Sequence, residues 1–169
     1  VRGAALLLLS AGQMAFAAPV VQPQTRAANA AAAKTLPADN GQDAEFAARG
    51  FVGTTKAPDI PRDDGKGTAW DFTWLSKLTG PAPDSVHPSL WRHAILMGRH
   101  GLYKVADRVY QVRGFDVTTM TVIVGDSGYI VVDPMLSVVS ARAAMALVRQ
   151  HLGDKPVSGI VYTHSHADH

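Results

Sequence analysis

Thr163-His-Ser-His-Ala-Asp-His169 follows an apolar, strand-patterned run, Val157-Ser-Gly-Ile-Val-Tyr162, and this junction constrains the chain more than any other feature. Three imidazoles and one carboxylate, His164, His166, Asp168 and His169, fall within six residues. Residues two apart on extended backbone point the same way, so His164 and His166 can grip one ion. Asp168 and His169 come after the strand must turn. They can face a second ion, or Asp168 can serve as a base beside the first. Imidazole nitrogen and carboxylate oxygen are donors that zinc accepts at about 2.0–2.2 Å. Two such ions about 3.5–4 Å apart can share a water and clamp a displaced oxyanion. The sequence has no cysteine. Thiolate sites and disulfides are therefore excluded within it, and nitrogen and oxygen donors favour zinc or a similar divalent ion.

The approach to this junction reads as α/β. Leu102-Tyr-Lys-Val105 and Val109-Tyr-Gln-Val112 alternate around Ala106-Asp-Arg108, which predicts a hairpin. Met120-Thr-Val-Ile-Val124 and Tyr129-Ile-Val-Val132 flank Gly125-Asp-Ser-Gly128, a second hairpin with strong turn chemistry. A helix follows from Val138, with Ser137 as N-cap and Gly153 as its stop. Its apolar positions are Val138, Ala141, Met145, Val148 and Leu152. The next strand, expected to be buried between layers, carries the ligand cluster at its carboxyl end, where α/β folds place ligands.

The first seventeen residues have the form of a secretory signal: Arg2, the apolar Ala4-Ala-Leu-Leu-Leu-Leu9, and the small-x-small Ala15-Phe-Ala17. The apolar stretch is too short to span a bilayer. The expectation is a periplasmic or secreted protein with no stable membrane anchor. Residues 18–40, with Ala30-Ala-Ala-Ala33, read as a flexible linker. Asp43 to Arg49 reads as a short helix stopped by Gly50. Residues 51–90 read as an ordered wrap that pins Trp70, Phe72, Trp74 and Leu75 onto a core, with a ligand box as the alternative. A net charge of +2, with no run of Lys or Arg, argues against nucleic acid as a partner.

Asp133 ends a strand expected to lie beside the metal strand. It is read either as an orienter of a ligand histidine or of its loop, or as a turn former before Pro134. His87, His93, His100 and His151 show no ligand spacing to one another, and accommodated roles are the default. Arg92, Arg99 and Arg113 are read as solvated or paired, with attraction of an anionic substrate as the alternative.

A strand delivering His164-x-His166-x-Asp168-His169 resembles the metallo-β-lactamase superfamily, whose fold is an αββα sandwich of two similar halves. The elements from the first hairpin onward resemble the N-terminal half. Ala47-Ala-Arg-Gly-Phe51, Val86-His-Pro-Ser-Leu-Trp-Arg92, His100-Gly-Leu-Tyr103, Val109-Tyr-Gln-Val-Arg-Gly114, Met120-Thr and Val131-Val-Asp-Pro134 narrow the resemblance to secreted alkyl sulfatases over residues 41–169.

That resemblance implies two zinc ions per full-length subunit. His164 and His166 would hold the first, and Asp168 and His169 the second. It implies hydrolysis of alkyl sulfate esters such as dodecyl sulfate to alcohol and inorganic sulfate. A homodimer would form through regions not present here. Two protein ligands per ion fall short of the three usual for catalytic zinc. The chain is therefore expected to be the first part of a longer, truncated enzyme and inactive alone. Another hydrolase on the same fold, a lactamase, lactonase or thioesterase, is the runner-up, because fold does not fix function.

Overall fold

The computed structural model describes residues 20–169. The signal expected at residues 1–17 lies outside them. The first described element is a helix, α1 (Pro23–Thr35), where a linker is expected. Its sequence explains the difference. Proline occupies its first turn, where no amide partner is needed, and the alanine run has the highest helix propensity of any residue type. The helix is also tied down: Arg26 pairs with Asp84 at 2.6 Å, and Asn29 Nδ2 donates to the Asp84 carbonyl at 2.8 Å.

The wrap forms as expected but with more structure. The expected short helix α2 (Gln42–Ala48) precedes it; the wrap holds β1 (Phe51–Gly53), β2 (Asp59–Pro61), β3 (Thr68–Asp71) and α3 (Thr73–Ser76), and α4 (Pro88–Met97) starts at its end. Strands β2 and β3 pair as a separate antiparallel ribbon. Trp70 Nε1 donates to the Gly114 carbonyl at 2.7 Å, and Phe72 stacks on His100 at 4.5 Å. These contacts fix the wrap to the domain. Trp74 is half-exposed and does not act as a core anchor.

Both hairpins appear where turn chemistry puts them: β4 (Gly101–Ala106) with β5 (Val109–Arg113), and β6 (Met120–Val124) with β7 (Tyr129–Val132). Helix α5 (Val138–Leu152) then crosses to β8 (Val157–Val161), which lies parallel to β7. A parallel neighbour needs such a crossover. The six-stranded sheet runs β1-β4-β5-β6-β7-β8.

Register explains the core. Leu102 faces Val112, Val112 faces Met120, and Val122 faces Val131, so one side of the sheet carries all five. Helix α5 covers that side with Ala144, Leu147 and Val148, while Phe72, Phe115 and Ile60 close the end. Each fully buried side chain of this size contributes about 1.5–3 kcal/mol.

Helix α5 has the ends that its sequence predicts. Ser137 Oγ accepts from Ser140 N–H at 3.2 Å, and Gly153 follows the last turn. Its buried face, however, is Ser140, Ala144, Leu147 and Val148. Val138, expected inside, is 71% exposed. Alanine and valine surround this helix, so hydropathy alone leaves its phase loose. The small Ala144 permits close approach to the sheet, and buried Ser140 is satisfied by Ser137 at 2.9 Å.

Strand β8 also departs from expectation. It is the sheet edge, not a strand buried between layers, and Ile160, Val161 and Tyr162 are exposed. Among the described residues nothing pairs with its outer side. No helix among them is long and apolar enough to cross a membrane.

Candidate metal centre

Parallel pairing brings the ends of β7 and β8 together. Val132 stands opposite Val161, and Asp133 N–H donates to the Val161 carbonyl at 2.9 Å. Asp133 then adopts φ 53°, a left-handed conformation that Asp tolerates better than most residues. This turn aims its carboxylate across to β8. Oδ1 accepts from Thr163 N–H at 2.9 Å, and Oδ2 accepts from Thr163 Oγ1 at 2.8 Å. The Thr163 amide, helped by its hydroxyl and by His169, holds Asp133 below the usual carboxylate range against its partial burial.

The four ligand-type side chains gather directly above this clamp. His164 Nε2 and His166 Nδ1 stand 3.0 Å apart. Two nitrogens sharing one tetrahedral zinc, with bonds of about 2.0–2.1 Å, would be about 3.4 Å apart. Asp168 Oδ2 and His169 Nε2 form a second pair at 3.7 Å. The rings of His164 and His169 are 4.0 Å apart, which places the two pairs side by side. Among the described residues no three His, Cys, Asp or Glu side chains already surround one point. The donors fit divalent-metal chemistry as two adjacent pairs.

Two buried or constrained groups set this arrangement. His169 Nδ1 is buried without a hydrogen bond, with Asp133 Oδ2 3.2 Å away. Thr118, in the loop between β5 and β6, donates its hydroxyl to the Asp168 carbonyl. Thr163 and Thr118 are therefore part of the site, and nothing in their spacing marks them. The only cue in the sequence is that Thr163 immediately precedes the histidine motif.

The remaining histidines lie elsewhere. His87 Nδ1 caps α4 by accepting from Ser89 N–H at 3.3 Å, His100 stacks on Phe72, and His151 packs against Gly53. Arg92 is bound by Asp43 at 2.6 Å and Asp39 at 3.4 Å, which removes it as an anion receptor.

The stretch 113–169, which contains Asp133, Thr163 and all four donors, matches the metallo-beta-lactamase superfamily. This part of the chain is similar to that superfamily. Metal binding, typically of zinc, is a property of the superfamily. An alkyl/aryl-sulfatase of Saccharomyces cerevisiae is 40% identical over 149 residues, covering 88% of this chain and 23% of that protein. A linear primary-alkylsulfatase of Pseudomonas sp. is 38% identical over 171 residues, covering 96% of this chain and 24% of that protein. The solved structure of a stereoselective inverting sec-alkylsulfatase from Pseudomonas sp. superposes with a TM-score of 0.79 at 40% identity, over 88% of this chain and 23% of that one. The chain thus spans about a quarter of the length of these relatives. The α/β architecture is the part of the superfamily fold that the sequence leads one to expect.

Proposed function

We propose that this chain forms the N-terminal part of a zinc-dependent hydrolase of alkyl sulfate esters, with dodecyl sulfate among its substrates. The observation that supports this reading most is the pair of donor pairs, His164 with His166 and Asp168 with His169, held at the end of β8 in a chain 38–40% identical to alkylsulfatases. His164 and His166 would hold one ion and Asp168 and His169 the other. The further ligands would come from the longer protein. Zinc in such a site acidifies water and offsets charge on an oxyanion.

The chain's own residues prepare that chemistry. Asp133 fixes the start of the ligand loop through Thr163 and stands beside His169. Thr118 holds the loop's far end through the Asp168 carbonyl. Products would be the alcohol and inorganic sulfate. Residues 1–17 would direct export to the periplasm or medium, and the full-length subunits would pair as a homodimer.

Sulfate release from dodecyl sulfate by the full-length protein, with zinc measured on the same sample, tests the reading. Release that is lost on chelation and restored by zinc is the expected result. Bound zinc without sulfate release overturns the substrate and points to a carboxylic ester, thioester or lactam.

A further inference from the structure

A cavity of about 520 Å³ lies between the wrap and the loop that follows β5. It falls within the roughly 300–1,000 Å³ range of small-molecule sites. Its walls are apolar: Trp70 and Leu75 from the wrap, and Leu96 and Met97 at the end of α4, with Trp74 at the rim. Trp74 and Met97 are half-exposed, although both are large and apolar.

The cavity also carries charge. Arg99 and Arg113 line it, and neither is in an ion pair among the described residues. Arg113 is held in place without being neutralised. Its guanidinium lies over the Tyr103 ring at 4.6 Å, and its Nε donates to Gln111 Oε1 at 3.0 Å. Asp116 is the single carboxylate of the lining, so two guanidiniums face one acid.

The third feature is position. Val117 and Thr119 line the cavity, while Thr118 between them donates to the Asp168 carbonyl. One short segment therefore forms a wall of the apolar cavity and a support of the metal-ligand loop. We infer that this cavity takes the alkyl chain of a long-chain anionic amphiphile, with the anionic head directed toward the ligand loop. The inference rests on the alkyl sulfate reading for the identity of the head group. It goes beyond that reading by assigning chain-length preference to Trp74, Leu75 and Met97. Each methylene removed from water is worth about a fourfold gain in binding, so a few lost contacts with the tail are readable.

The test compares Trp74→Ala and Met97→Ser with the parent in the full-length protein. Both side chains are half-exposed, so folding is expected to survive, and thermal melting verifies it. The expected result is a fall of about tenfold or more in kcat/KM for dodecyl sulfate, with hexyl sulfate changed less than about twofold. Equal losses on both esters, or no loss on either, would overturn the assignment. Binding of dodecane sulfonate below its micellar concentration, followed by tryptophan fluorescence, separates the two ideas. Saturable binding that weakens in Trp74→Ala, in a protein releasing no sulfate, would leave the cavity assigned and sink the hydrolytic reading. Hydrolysis of dodecyl sulfate that neither variant disturbs would sink the cavity assignment alone.

Discussion

The Asp133 carboxylate accepts both the amide and the hydroxyl of Thr163, at 2.9 and 2.8 Å, and so ties the end of β7 to the first residue of the ligand loop. Asp133→Ala removes both acceptors and also places alanine at φ 53°. Asp133→Asn keeps the tolerance for that conformation and one carbonyl acceptor. Groups that orient metal ligands typically contribute 10–100-fold to metal affinity. Zinc binding by the full-length protein is expected to weaken by about that factor in Asp133→Ala and by less in Asp133→Asn. Unchanged zinc content in Asp133→Ala would assign this residue to the turn alone.

The same clamp has a definite pH dependence. Asp133 is held below the usual carboxylate range, so its contribution is fully present above about pH 3.9. It is lost as pH falls through the lowered value. Protection of the Thr163 amide, its exchange relative to an unstructured amide at the same pH, should hold as pH falls to about 3.9 and be lost only at the lowered value below it. Protection lost already above about pH 3.9 would show that the carboxylate is not the partner that protects the amide.

At the alkaline end the controlling group is Tyr129. It is fully buried, and its hydroxyl donates to the Gly153 carbonyl at 2.6 Å. Burial pushes its pKa up. A raised pKa gives stability that is present below about pH 10 and lost as pH rises through the folded value. Tyr129→Phe should cost about 1 kcal/mol near neutrality by removing the hydrogen bond. It should also move the alkaline unfolding midpoint upward. Tyr103, raised by burial as well, keeps the shift partial. Circular dichroism across pH 9–12 checks both effects.

Much of this molecule is legible in its sequence where a local rule decides alone. The Gly125-Asp-Ser-Gly128 turn, the Ser137 cap and the Gly153 stop each depend on a few adjacent residues, and each element begins or ends there. What is not legible depends on partners distant in sequence. The α5 phase is set by the sheet, because alanine and valine occupy both candidate faces. The α1 segment reads as low complexity until Asp84 supplies its anchor. An apolar strand such as β8 reads as buried, although burial depends on what lies beside it. Thr118 meets Asp168 across fifty positions, with no spacing to announce it.

Gly50 and Gly65 separate two costs that are usually confounded. Both have positive φ, 74° and 67°. A methyl group at Gly65 would meet nothing, whereas at Gly50 it would sit 2.0 Å from the Lys104 carbonyl oxygen. Gly65→Ala should cost only the left-handed penalty of about 1–2 kcal/mol. Gly50→Ala should cost distinctly more, because the Lys104 N–H to Gly50 carbonyl bond at 2.7 Å must also open. Equal denaturation midpoints for the two variants would show that the wrap yields at β1 without penalty.

Thr118 offers the clearest test of how the ligand loop is held. Its hydroxyl reaches the Asp168 carbonyl from a different loop, so the contact couples the β5–β6 connection to the segment that carries His166, Asp168 and His169. Thr118→Val keeps the shape of the side chain and removes the donor, while Thr118→Ser keeps the donor and removes a methyl group. A net hydrogen bond contributes about 0.5–1.5 kcal/mol, so the melting temperature should fall only slightly in either variant. Local protection should divide them. Amide exchange across His166 to His169 is expected to accelerate in Thr118→Val and to stay near the parent in Thr118→Ser. The reverse pattern, faster exchange in Thr118→Ser with Thr118→Val near the parent, would mean that packing by the methyl group, and not the hydroxyl, positions the loop.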